Sequence, residues 1–314
     1  MKPFAALGTF TTVRVSAAAF LLAATVHAAD AQRVRRIGRD ARSRVDTTFT
    51  FDKSGSVTVI VPNGDIVING TPGNQLHVRG RDDEDVRVDV SSARVMVQTS
   101  SGSDGVELSV PQGVRIIATS RSGDVTIRGT HGAVEAHATN GDVVIDDVVG
   151  QLDVGSLSGD ITVSNVVGDG KIETTGGDVK LSNVRGSIDA TTVSGDIQLR
   201  GVTSKDVHAR TTSGDVTFDG LIDPTGRYEF ATHSGDVGLH IQRDASAQLT
   251  VSTWNGSIDS EFPITLRPGQ HGIGSATSKR YTFEIGGGGA RLSADTFSGD
   301  ITISANGHGA TGRP

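Results

Sequence analysis

The sequence predicts an all-β protein built as a single-stranded parallel β-helix, a β-solenoid of about 18 residues and two short strands per coil. Three observations carry this. The tripeptide Ser-Gly-Asp, or a close variant, ends at Asp124, Asp142, Asp160, Asp178, Asp196, Asp215, Asp236 and Asp300, and the first five stand 18 residues apart. Apolar residues recur at every second position on both sides of the tripeptide. A second glycine column, Gly132, Gly150, Gly168 and Gly186, follows the aspartate by eight residues and closes the coil. Parallel crossovers are generally right-handed, so the winding is expected to be right-handed, with each coil advancing about 4.8 Å.

The chain opens as a secretory signal peptide, residues 1–31. Lys2 and Arg14 precede the apolar run Val15 to Val26, and small-residue cleavage sites end at Ala28 or Ala31. Twelve apolar residues are too few to cross about 30 Å of hydrocarbon as a helix, and no second long apolar stretch follows. An exported protein of periplasmic, cell-surface or extracellular location, bacterial and without a transmembrane segment, is expected. The chain has no cysteine, hence neither disulfides nor the lipid-bearing cysteine of an exported lipoprotein.

Residues 32–48 form a basic leader, with Arg33, Arg35, Arg36, Arg39, Arg42 and Arg44. It reads as a flexible segment or as an electrostatic tether to anionic lipid or polysaccharide. Removing residues 1–31 takes away Lys2, Arg14 and Asp30, which moves the formal charge from −7 to −8. That acidic balance excludes nucleic acid as the expected partner.

Residues 49–117 read as an irregular N-terminal β portion that covers the end of the solenoid. Val57, Val59 and Val61, then Asn63-Gly64-Asp65, then Ile66 and Ile68 reproduce one coil; beyond it alternation persists but the spacing is lost around Asp82 to Asp85. Residues 118–304 are the β-helix proper. Six before the aspartate stand Ala118, Ala136, Val154, Ile172, Ala190, Ala209 and Phe230; immediately after it stands Val or Ile, as in Val125 and Ile161. Four before it lies a column of small or hydroxylated residues, from Ser120 through Thr174 and Thr192 to Thr296. An insertion is expected at 259–291, with a strand at Tyr281 to Ile285 and the run Gly286 to Gly289. A disordered tail is expected at 305–314.

The Asn-Gly-Asp coil, the tandem Ser-Gly-Asp-Val/Ile coils and the late Gly286-Gly287-Gly288-Gly289 followed by Thr296-Phe297-Ser298-Gly299-Asp300-Ile301 carry a family resemblance. Over roughly residues 50–304 the chain resembles the bacterial putative-adhesin β-helix family, a domain of unknown function. The resemblance implies a non-catalytic, adhesin-like surface or envelope protein, with no catalytic residue and no cofactor to carry over.

The aspartates themselves pose a physical problem. Carboxylates about 4.8 Å apart repel by nearly 1 kcal/mol per adjacent pair even in bulk water. The structural reading is that each accepts hydrogen bonds within its turn, while Gly123, Gly141, Gly159, Gly177, Gly195, Gly214, Gly235 and Gly299 supply the turn geometry. The metal reading is a calcium ladder bridging Asp124, Asp142, Asp160, Asp178, Asp196, Asp215 and Asp236, although calcium-binding nonapeptides space their Gly and Asp differently. Catalysis by a polysaccharide-cleaving β-helix would need unlike residues gathered in a cleft, and these acids are identical and turn-borne. The histidines beyond the expected signal peptide, at 77, 131, 137, 208, 233, 240, 271 and 308, follow no metal-ligand spacing.

Three before the aspartate, Leu157, Val193, His233, Trp254 and Phe297 make an outward apolar column. Trp254 and Phe297 are candidate contacts for a protein or polysaccharide partner, or else pack beneath the 259–291 insertion. A carbohydrate-binding or carbohydrate-active β-helix is the alternative function. End-to-end self-association would follow from imperfectly covered ends.

Overall fold

The computed structural model describes residues 12–13, 45–81, 86–91, 93–100, 104–263 and 279–306. Apart from Thr12–Val13, a two-residue strand antiparallel to Val86–Val90, the expected signal peptide lies outside the described residues. So do residues 32–44 of the leader, the acidic residues 82–85, residues 264–278 of the expected insertion and the tail from 307.

The fold is all-β and solenoid-like. Alternation puts every second side chain between two sheet faces, and the 18-residue spacing sets the register. On the face before the tripeptide, Ala118, Ala136, Val154, Ile172 and Ala190 pair in succession, all parallel. On the face after it, Val125, Val143, Ile161, Val179 and Ile197 do the same. These residues are fully or almost fully buried and form one thin aliphatic core running the length of the stack. β-Branched side chains suit such layers because their restricted rotamers pack on a pleated surface without long side chains to order.

From Asp196 onward the coils lengthen beyond 18 residues. The step from Asp196 to Asp215 is 19 and that from Asp215 to Asp236 is 21. Here the register between Ile197–Arg210 and Val216–Ser234 shifts twice, and Phe218, Tyr228 and Phe230 fill the widened core. The Phe218 ring lies 5.1 Å from that of Phe230 and 6.0 Å from that of Tyr228.

Coil order along the stack departs from order along the chain at both ends. The coil Ser56–Asn63 and Asp65–Thr71 lies directly against Arg115–Ser122 and Val125–Thr130. The chain between them makes the outer layer: Arg94–Thr99 and Gly105–Pro111 pair parallel on its far side. At the other end Ala290–Ser298 and Ile301–Ala305 insert between the coil ending at Val237–Ile241 and the earlier coil Ala247–Asn255 with Ile258–Ser260. The last coil in sequence is therefore interior.

The expectation of a parallel sheet throughout needs correction, because the sheet is mixed. The five antiparallel pairings among the described residues lie at the ends: Thr12–Val13 and Arg94–Thr99 each against Val86–Val90, Asp46–Thr50 and Gly105–Pro111 each against Gln75–Gly80, and Lys279–Ile285 against Ala247–Asn255. An antiparallel strand can follow by a short hairpin where another parallel coil would need a full crossover, and it shields the open ladder. The expected strand Tyr281 to Ile285 is observed as Lys279–Ile285. Gly286 to Gly289, all at positive φ, then carry the chain from one side of Ala247–Asn255 to the other. Ser246 Oγ donates to the carbonyls of Gly286 and Gly288 and holds this passage.

Candidate binding surfaces

At the Ser-Gly-Asp corner the backbones of neighbouring coils approach so closely that no side chain fits. A Cβ on Gly141, Gly159 or Gly177 would lie 2.1–2.2 Å from the glycine carbonyl oxygen of the preceding coil. Those same carbonyls accept hydrogen bonds from the hydroxylated column. Thr174, Thr192 and Thr211 donate to Gly159, Gly177 and Gly195 at 3.0–3.2 Å. The hydroxyls of the column read from the sequence as small or hydroxylated are thus the groups that satisfy the corner carbonyls.

The aspartates form a continuous ladder, but their partner is in the next coil rather than in their own turn. Each Oδ1 accepts the backbone N–H of the following aspartate. Nine such bonds, 2.7–3.1 Å long, run in stack order from Asp65 through Asp124 and Asp300 to the N–H of Ser257. A donated N–H stabilises a carboxylate, which offsets the repulsion between neighbours. Lys180 adds a cation midway along the row, 3.1 Å from Asp178 Oδ2 and 3.7 Å from Asp160 Oδ2. The Asp178 carboxyl is held below the ordinary aspartate range, first by the Asp196 N–H and then by Lys180. Asp300, at the end of the row, is lowered by Ser257 in the same way.

A lowered folded-state pKa contributes stability that is present above the ordinary aspartate range and is lost as pH falls below about 4. Asp178→Ala should cost about 1 kcal/mol, because it strands the Asp196 N–H; the figure is modest because the side chain is about one-third exposed. Asp178→Asn keeps an acceptor and should cost less. Thermal melts at pH 7 and pH 3 check this: the gap between wild type and Asp178→Ala should narrow at the lower pH.

The opposite corner turns by a device the sequence did not announce. Asp147, Asn165 and Asn183 are left-handed at φ 54°, and Gly201 occupies the equivalent place at φ 61°. Asp146 receives the Ser164 hydroxyl at 2.6 Å and the Asn165 amide at 2.9 Å, and its carboxyl is lowered by these two donors. Asn and Asp tolerate this backbone region better than other side chains, and that tolerance is the only signal a sequence reading could have used.

The outward column is not one continuous apolar strip, because Thr175 and Thr212 interrupt it between Leu157, Val193 and His233. Its end, however, is brought together by the interleaved last coil. Phe297 lies between His233 and Trp254, with ring centroids 4.8 and 5.9 Å away and planes tilted by 15° and 9°. Trp254 and Phe297 remain 47% and 48% exposed, so neither is covered by the described part of the insertion.

A second surface, unforeseen in the sequence, lies where the coils lengthen. A groove of about 950 Å³ opens beside Leu221, Ile222 and Asp223, and a smaller recess of about 300 Å³ adjoins it, with Asp169 and Ser187 lining both. Its wall is pinned. The buried Tyr228 hydroxyl donates to Ser204 O at 2.6 Å and accepts from Asp223 N at 2.8 Å. The Gln242 amide makes two 2.8 Å bonds, accepting from Ile222 N and donating to Ile222 O. Asp223 is lowered by the hydroxyl and N–H of Thr225. Nearby, His208 lies 3.0 Å from Asp206 and 3.2 Å from Glu229.

These repeats, the close glycine corners and the late glycine passage agree with a family assignment. The Toastrack DUF4097 profile matches residues 71–304. The chain belongs to that family. No functionally curated protein matches it. Among solved structures it is similar to a putative adhesin from Parabacteroides distasonis, at 13% identity and a TM-score of 0.42, over 83% of this chain and 97% of that one. A putative adhesin from Bacteroides fragilis has 13% identity and a TM-score of 0.36 over 84% and 98%. A putative cell adhesion protein from Clostridium sporogenes has 8% identity and a TM-score of 0.19 over 84% and 100%. Among the described residues of this Toastrack protein, no helix is long and apolar enough to cross a membrane.

Proposed function

We propose that this Toastrack protein is an exported, non-catalytic β-solenoid with an adhesin-like role, a right-handed coil that meets a protein or polysaccharide partner at the cell surface or in the envelope. The observation that carries the reading is the stacked, exposed trio His233, Phe297 and Trp254 at one end of a stack whose coils are joined by the aspartate ladder. Aromatic surface left in water on a regular scaffold marks a contact site. Four of the acids do not fit the proton-donor part in carbohydrate cleavage. Glycoside hydrolysis needs one carboxylic acid held protonated, whereas Asp146, Asp178, Asp223 and Asp300 are all shifted toward ionisation.

Trp254 is the chain's single tryptophan, so its emission reports on this site alone. Residues 32–314 should bind isolated cell envelopes saturably with a change in tryptophan emission. Trp254→Ala should weaken binding at least tenfold while leaving the melting temperature within a degree or two. Absence of saturable binding to envelopes or intact cells would reject the adhesin-like role. In the same reading the aspartates are turn residues rather than calcium ligands. Equal melting temperatures in calcium and in chelator are expected, and a rise of many degrees with calcium would instead assign the row to metal.

A further inference from the structure

The two recesses beside Asp169 form one trough, and its direction is informative. Gln151, Asp169 and Ser187 stand in adjacent register, and Ser187 is followed by Asp206 in the next coil. Thr203 then pairs with Leu221, and Ile222 is bonded to Gln242. The lining thus descends through six successive coils, five steps of about 4.8 Å or roughly 24 Å, so the trough lies along the stack axis and across the strands. Its shape suits an extended polymer rather than a compact ligand.

We infer that this trough binds a neutral polysaccharide chain lying along the solenoid axis. An extended peptide recognised by strand addition needs a free ladder edge running with the strands. Here the strands are crossed at right angles and their backbone groups are already paired. Where the register shifts loosen the backbone, the freed groups are taken by side chains: Ser204 O and Asp223 N by Tyr228, Ile222 N and O by Gln242. Recognition must therefore run through side chains, and a ligand dense in hydroxyls meets both donors and acceptors along the way. The rim offers both, with five carboxylates against three Lys or Arg cations across the two recesses. That balance gives no attraction to a polyanion. Leu221, half exposed on the floor, supplies an apolar patch for the C–H face of a sugar ring, and Arg243 and Asp244 flank it from the next coil.

The inference rests on the reading of the protein as a non-catalytic surface binder, and adds a ligand class and a second site. Native affinity electrophoresis of residues 32–314 in gels containing hydroxyethyl cellulose, laminarin or dextran, with heparin as the polyanionic comparison, tests it. At least one neutral polymer should retard the protein and heparin should not. Leu221→Arg, which blocks the floor, and Arg243→Ala, which removes a rim donor, should each weaken retardation at least fivefold with unchanged melting temperatures. Trp254→Ala should leave it intact. Retardation by no neutral polymer, retardation by heparin alone, or retardation indifferent to both trough variants overturns the inference. Because envelope binding is read separately at Trp254, the surface-binding role survives any of these results and falls only if envelope binding also fails.

Discussion

Gly195→Ala is expected to destabilise the protein by on the order of 3–5 kcal/mol, far beyond an ordinary glycine replacement. The added Cβ would stand 2.0 Å from Gly177 O, 2.5 Å from Gly177 C and 3.1 Å from Asp178 N. These are backbone atoms of the neighbouring coil and cannot rotate away. Relief requires the two coils to separate, which would strain the Asp178 Oδ1 bond to Asp196 N and the Thr192 bond to Gly177 O. Backbone preference adds to the clash, since Gly195 sits at φ 150°. Gly73→Ala is the matched control: φ is 112°, but nothing lies within 4 Å of the new methyl. Its cost should be only about 1–2 kcal/mol. Urea unfolding of both variants separates steric exclusion from backbone preference. Equal losses would mean that the close approach of the corners does not govern stability.

Ending the chain after Gly286 should do more damage than the loss of a final coil. In an ordinary solenoid a terminal repeat contributes one interface with its neighbour. Here Ala290–Ser298 and Ile301–Ala305 are sandwiched, so truncation removes two interfaces. Leu292, Ile301 and Ile303 are buried in this coil; at about 2–5 kcal/mol for each large aliphatic side chain, roughly 6–15 kcal/mol of core contact is removed before any relaxation. The coil Ala247–Asn255 with Ile258–Ser260 loses its parallel partner on both faces and should come away. The expected result is proteolytic trimming back toward residue 242, with Trp254 emission shifted to that of a solvated indole. A truncated chain that keeps native emission and protects residues 247–260 would show that the interleaved order does not hold the end together.

Much of the fold was legible because a parallel stack repeats one physical requirement in every coil. The inward columns ending at Val125 and Ile161 follow from alternation, and the 18-residue step sets the register that pairs Val143 with both. The resemblance built on Asn63-Gly64-Asp65, the tandem tripeptides and Gly286 to Gly289 agrees with the Toastrack profile. The aromatic column was legible only as separate positions. Trp254 and Phe297 are 43 residues apart, and nothing local says that a later strand will insert on the near side of an earlier one. The trough was not legible at all, since coils of 19 and 21 residues read as small irregularities until Tyr228 and Gln242 are seen to pin the loops they create.

The sequence by itself determined the coil: its period, its inward and outward faces and its glycine corners, because these depend on contacts that recur identically from one repeat to the next. Only the tertiary structure decided the order in which coils stack at the two ends, the antiparallel strands that flank them, the meeting of His233, Phe297 and Trp254, and the trough beside Leu221. Repeat chemistry makes neighbouring coils nearly interchangeable as partners. The choice among them is therefore set by unique groups, such as the four-glycine passage held by Ser246 and the buried hydroxyl of Tyr228, whose partners lie far away in the chain.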